Sequence, residues 1–163
     1  MVITNNMGKA AMEKVIFLAE DDADDRMLFA EALQEVNTSS RLTTAKDGVQ
    51  LMKILEETVP PPPHVIFLDL NMPRKNGMEC LAEIRGDQKL KNIPVVVFST
   101  SSQPEIIDKV YHQGANYYIC KPSTFSMLKQ AIAYVLAIRW HATLSQTPKD
   151  DFYLFKLNRD AGY

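Results

Sequence analysis

Val65-Ile-Phe-Leu-Asp-Leu70 is an apolar run of strand length broken by one carboxylate. The run is continuous, with no alternation of apolar and polar residues, which is the pattern of a strand covered on both faces. A carboxylate inside such a run is costly to bury unless something pairs with it. Asp69 therefore marks both a sheet interior and a place where chemistry is concentrated.

Working outward, four more runs of the same kind flank this one. Val15-Ile-Phe-Leu-Ala19 precedes it, as does the weaker Leu42-Thr-Thr-Ala45. Val95-Val-Val-Phe-Ser99 and Tyr117-Tyr-Ile-Cys120 follow. Between them apolar residues recur at helical spacing. Phe29, Leu33 and Val36 come after the acidic start at Asp24 and Asp25, which suits a helix N-terminus. Leu51, Ile54 and Leu55 follow the turn signal Asp47-Gly48, and Met78, Leu81 and Ile84 follow the loop from Asn71 to Gly77. Ile106, Ile107 and Val110 belong to a helix opening near Pro104, where the missing N–H costs nothing. Phe125, Leu128, Ile132 and Leu136 belong to one opening near Ser123. The prolines from Pro60 to Pro63 forbid helix and make a stiff connector.

Five strands alternating with five helices predict an α/β fold, a doubly wound sandwich on a five-stranded parallel sheet. Such sheets bind ligands beyond the carboxyl ends of their strands. The residues there are Glu20, Asp21 and Asp22, then Asp69, Ser99 and Lys121.

The chain has 163 residues with a net charge of −2, 46% apolar and 23% charged residues. That composition is ordinary for a soluble domain able to bury a core without disulfides. With a pI of about 5.9 there is no basic field to recommend nucleic acid. No apolar run approaches the roughly 20 residues of a membrane-spanning helix. Residues 1–13 lack the apolar core of an export signal and read as a flexible leader, with Met7 and Met12 as alternative starts. Cys80 and Cys120 lie in apolar contexts and are expected to be reduced, buried and structural in a cytoplasm.

Three carboxylates converging on one pocket repel each other unless a cation holds them ionised. A hard divalent ion with oxygen ligands answers that, and Mg²⁺ suits a phosphate site because it keeps water positions open. Lys121 offers a compact ammonium and Ser99 a hydroxyl to the same place. The set describes phosphoryl transfer to a carboxylate nucleophile. A phosphohydrolase with an Asp nucleophile usually carries a second Asp two residues on as general acid, and here that position is Asn71. A flavodoxin-like nucleotide binder needs a glycine-rich cradle after the first strand, and here the loop is acidic.

These motifs resemble the receiver domains of response regulators, the CheY-like superfamily, and in particular the stand-alone receivers found beside phytochrome-like sensor kinases. The matching stretches are Val15-Ile-Phe-Leu-Ala-Glu-Asp-Asp22, Phe67-Leu-Asp-Leu-Asn-Met-Pro73 with Gly77, Pro94-Val-Val-Val-Phe-Ser99, Gly114-Ala115 and Tyr118-Ile-Cys-Lys-Pro122. The resemblance implies a (βα)5 flavodoxin-like sandwich with strand order 2-1-3-4-5. It implies a receiver domain over residues 14–141 and a tail over 142–163 with no output domain. It makes Asp69 the acceptor of a phosphoryl group from a sensor histidine kinase or phosphotransfer protein. Glu20, Asp21, Asp69 and the backbone carbonyl of Asn71 would hold Mg²⁺, and Lys121 would contact the phosphoryl group across a cis Lys121–Pro122 bond.

Ser99 would swing toward the phosphoryl group with Tyr118 turning inward behind it; the plainer alternative makes Tyr118 an edge-strand aromatic. Asp22 is left behind the metal or in solvent. Such a protein is a switch that assists its own phosphorylation and dephosphorylation, distinct from an enzyme with a separate substrate. Its output would be a changed binding surface for an unnamed partner, around the fourth helix, fifth strand and fifth helix, and a homodimer stays open. Ser99 stands where Thr is commoner, and Thr100 where Ala or Gly is usual, which narrows access to Asp69. Phe152 to Phe155 either pack back on their own domain or bind a partner subunit.

Overall fold

The computed structural model describes residues 13–140 and 146–155. The expected leader, apart from Glu13, and much of the expected tail lie outside these residues, as does the 141/142 boundary. Each apolar run becomes a strand: β1 Val15–Ala19, β2 Arg41–Ala45, β3 Val65–Leu68, β4 Val95–Ser99 and β5 Tyr117–Cys120. Between and after them lie α1 Ala23–Val36, α2 Gly48–Thr58, α3 Gly77–Gly86, α4 Pro104–His112 and α5 Phe125–Ala137. Neighbouring strands are all parallel, in the expected order β2-β1-β3-β4-β5.

Successive strand residues face opposite sides of a sheet, so each strand feeds two cores. Phe17, Ile66, Leu68 and Val97 pack with Leu51 and Leu55 of α2, Leu81 and Ile84 of α3 and Val110 of α4. Ile16, Leu18, Phe67 and Val96 pack on the other side with Phe29 and Leu33 of α1 and Ile132 and Val135 of α5. There the rings of Phe29, Phe67 and Phe98 meet edge to face, with centroids 4.9 to 6.3 Å apart. Each fully buried side chain of this size stabilises the fold by about 1.5–3 kcal/mol.

Polar residues set the helix starts. Asp22 caps α1: its exposed side chain accepts from the Asp25 N–H at 3.0 Å. Asp47 caps α2, and Asn76 with Glu79 forms a capping box on α3. Pro104 sits in the first turn of α4, where the sequence put it. The last long helix opens at Phe125, two residues later than Ser123 suggested, because Thr124 supplies the cap.

Two expectations need correction. Among the described residues the sheet has six strands: the tail forms a short helix, α6 Lys149–Phe152, and then β6, Tyr153–Leu154, which pairs parallel to β5. The anchor is Phe152, which is 1% exposed and has its ring 5.0 Å from that of Tyr111 and 6.4 Å from that of Tyr118. Of the two alternatives left open for this segment, packing on its own domain is the one observed. Second, among the described residues the cis peptide bonds are Val59–Pro60 and Pro60–Pro61, and Lys121–Pro122 is not one of them. Trans is the default of an X–Pro bond by about 0.5–1 kcal/mol.

Candidate functional site

The pocket lies where the sheet's ladder ends. Register pairs Ala19 with Leu68, so Glu20 and Asp69 are the next residues beyond each strand. Backbone bonds carry the ladder that one step further: Glu20 N–H donates to the Ala45 carbonyl at 3.0 Å and Asp69 N–H to the Ala19 carbonyl at 3.0 Å. On the other flank Lys121 N–H donates to the Ser99 carbonyl at 2.8 Å. The Arg26 guanidinium donates to the carbonyls of Glu20 and Asp21, at 2.8 and 2.9 Å, and so ties the β1–α1 turn to its own helix. Gly77 packs so close beneath that a Cβ would stand 2.2 Å from the Asp69 carbonyl oxygen.

Glu20 and Asp69 are 1% and 4% exposed, whereas Asp21 faces solvent. One carboxylate oxygen of each of the three lies within 4.8 Å of the others. Asp69 accepts from the Asn71 N–H at 3.2 Å, and Glu20 from the Asp22 N–H at 3.2 Å. The Lys121 ammonium donates to Glu20, to Asp69 at 3.1 Å and to Asp25 at 3.3 Å. Burial pushes the Glu20 carboxyl up to about 7 in spite of Lys121. Burial alone would lower the Lys121 ammonium, but Glu20 and Asp69 outweigh it and hold the group well above its usual range.

Ser99 is fully buried, and its Oγ accepts from the Ser101 N–H at 3.3 Å. Tyr118 is fully buried as well, and its hydroxyl donates to the Ser101 carbonyl at 2.7 Å. It faces inward, and β6 covers the edge beside it. Burial raises the Tyr118 phenol above its ordinary range.

The structure thus brings Glu20, Asp21, Asp69 and Lys121 into one pocket, with Ser99 and Tyr118 joined through Ser101 at its side. Sequence reasoning missed Asp25, Arg26 and Ser101. Asp25 sits three residues after the cap of α1, a position that reads as helix-dipole complement and gives no hint of a lysine 96 residues away. Ser101 acts through its backbone, which leaves no signal in residue type.

Fold and pocket define a doubly wound α/β protein with an acidic site at the carboxyl ends of its central strands. Comparison with known proteins gives that class a name. A family model described as the response regulator receiver domain matches residues 16–133. Response regulator Rcp1 of Synechocystis sp. is 38% identical over 112 residues, covering 66% of this chain and 76% of its own. The probable chemotaxis protein CheY of Rhizobium etli is 29% identical over 124 residues, or 76% of this chain and 93% of its own. Among solved structures, the phosphorylated cyanobacterial phytochrome response regulator RcpA superposes with a TM-score of 0.72 at 37% identity, covering 83% of this chain and 99% of its own. The Mn²⁺-bound form of Rcp1 gives a TM-score of 0.68 at 34% identity, over 83% and 99%. The chain belongs to the response regulator receiver domain family, and like these relatives it is a two-component response regulator of the CheY-like type.

Proposed function

We propose that Asp69 is the phosphoacceptor of this receiver and that Lys121, Ser99 and Tyr118 serve the phosphoryl group it receives. The observation that carries the reading is a nearly buried carboxylate at a strand end, 3.1 Å from an ammonium and grouped with two further carboxylates. An oxygen of Asp69 attacks the phosphorus of a phosphohistidine on a sensor histidine kinase or phosphotransfer protein. The P–N bond breaks as the new P–O bond forms, and the histidine leaves with the electron pair. Lys121 pairs with a phosphoryl oxygen, the Ser99 hydroxyl turns to donate to another, and Tyr118 follows through the link at Ser101.

The donor set fits a divalent cation. Glu20, Asp69 and Asp25 share a single ammonium, Asp21 joins the first two within 4.8 Å, and oxygen donors of this kind suit a hard ion. One relative has been solved with Mn²⁺ bound. For this chain Mg²⁺ is the proposed ion, held by Glu20, Asp21, Asp69 and the Asn71 carbonyl. When bound it neutralises charge on the phosphoryl oxygens. The domain proper is proposed to span residues 14–141, with 142–163 as a tail, working in a cytoplasm where its two free cysteines stay reduced. Its output is proposed to be a protein partner meeting the surface of α4, β5 and α5.

Incubation with acetyl phosphate and Mg²⁺, followed by intact mass measurement, tests the reading. The parent chain is expected to gain one phosphoryl group, and Asp69→Asn or chelation of the metal to abolish the gain. No gain in the parent would overturn the assignment of Asp69.

A further inference from the structure

An ammonium has three N–H donors and no more. Those of Lys121 are matched by three carboxylates: Glu20, Asp69 and Asp25. The donor set is therefore full, and a phosphoryl oxygen arriving on Asp69 must compete with these acceptors for the ammonium. The three differ in what would relieve them of Lys121. Glu20 and Asp69, with side chains 2% and 6% exposed, belong to the set proposed to hold the divalent ion, which would take over their charge, and Asp69 gives up an oxygen to the new ester. The Asp25 side chain lies outside that set, is 44% exposed and meets the ammonium at 3.3 Å, against 3.1 Å for Asp69. Water can replace Lys121 at Asp25 with little loss, because exposed ion pairs are worth little.

Resting on the reading of Asp69 as phosphoacceptor, we infer that Asp25 is a positioning residue for the transfer. It holds the third donor of Lys121 in the unphosphorylated chain and yields that donor to the phosphoryl group. Two consequences follow from one geometry. Before transfer, Asp25 keeps the lysine stem extended across the pocket, aimed at the place the phosphoryl oxygens will occupy. After transfer, it is the competing anion that draws Lys121 away again, and so it shortens the life of the phosphorylated state. The backbone of α1 fixes Asp25 in that position, since its own N–H is held by the cap residue Asp22 at 3.0 Å.

The test uses beryllofluoride, a phosphoryl mimic, and acetyl phosphate on the full chain with Mg²⁺. Asp25→Asn removes the competing charge and keeps the backbone bond to Asp22. It is expected to tighten beryllofluoride binding and slow loss of the phosphoryl group, each roughly two- to fivefold, with the melting temperature unchanged. Asp25→Ser, a second route to the same loss, is expected to give the same gain. Asp24→Asn is the control: it removes an equal charge from the first turn of α1 without touching Lys121, and it is expected to match the parent. An unchanged or weaker affinity in the Asp25 variants, or an equal gain in Asp24→Asn, overturns the inference and leaves Asp69 as proposed. Failure of the parent to bind beryllofluoride or to take up phosphate overturns the reading of Asp69, and the inference with it.

Discussion

Glu20 shows how a single residue can couple the site to pH. Its carboxyl is pushed up to about 7 by burial, against an ordinary value of 4.5. Between those values the folded chain holds a proton that the unfolded chain has released. This group's contribution to stability is thus fully present at low pH and is lost as pH rises through about 7. The same proton competes with a cation for the carboxylate. Mg²⁺ affinity is expected to be roughly tenfold higher at pH 8 than at pH 6, with a proton released on binding at the lower pH. Titration calorimetry in buffers of differing ionisation enthalpy measures both, and Glu20→Gln is expected to weaken binding and flatten the pH dependence. A flat profile in the parent would show that Glu20 is already ionised. At this scale much was readable in advance, since Glu20, Asp69, Ser99 and Lys121 each end a recognisable apolar run. Asp25 was not, because its role depends on how α1 lies across the sheet and on where the end of β5 places a lysine.

Elements position these residues, and the junction between β3 and α3 leaves no room for a side chain. Gly77 opens α3 directly beneath Asp69, where an added Cβ would meet the Asp69 carbonyl oxygen at 2.2 Å and the Leu70 Cα at 2.8 Å. Backbone cannot step aside as a flexible side chain can. Gly77→Ala is expected to destabilise the protein by about 1–3 kcal/mol and to slow phosphorylation by shifting Asp69. Gly86, at the other end of the same helix, has nothing within 4 Å of its added Cβ. Gly86→Ala is expected to stabilise by about 0.4–1 kcal/mol. Thermal melts of the two variants compare opposite ends of one element, and a neutral Gly77→Ala would refute the steric argument. Strands β1 to β5 were legible because each is buried on both faces and so shows as an unbroken apolar run. Strand β6 was not: two residues carry no period, and Tyr153 and Leu154 are brought beside β5 by tertiary contacts, among them the Phe152 ring against Tyr111 and Tyr118. Pairing of that kind is written in the tertiary structure and leaves no local pattern.

For the whole molecule, the tail makes a sheet of six strands from a domain whose sequence spells five. It is fastened by Phe152, by the ion pair of Lys149 with Asp108 and by the Tyr111 hydroxyl donating to the Thr147 carbonyl at 3.0 Å. Phe152→Ala removes the one fully buried anchor. Its cost is expected to be about 3 kcal/mol or less, because the tail can undock before the sheet is strained. Hydrogen exchange is expected to show lost protection at residues 153–154 and at the β5 edge, while β1 and β3 keep theirs. Uniform loss across the sheet would mean that the tail is integral to the core. The strand order adds a temporal consequence. Once β1 is in place, β3, β4 and β5 join one flank of the sheet in the order in which a ribosome makes them, and β6 closes that flank last. At roughly 5–20 residues per second, the stretch from Cys120 to Tyr153 takes a few seconds to synthesise. For those seconds the nascent sheet presents β5 as a bare edge, a window in which chaperones or a neighbouring nascent chain find it before its own tail does.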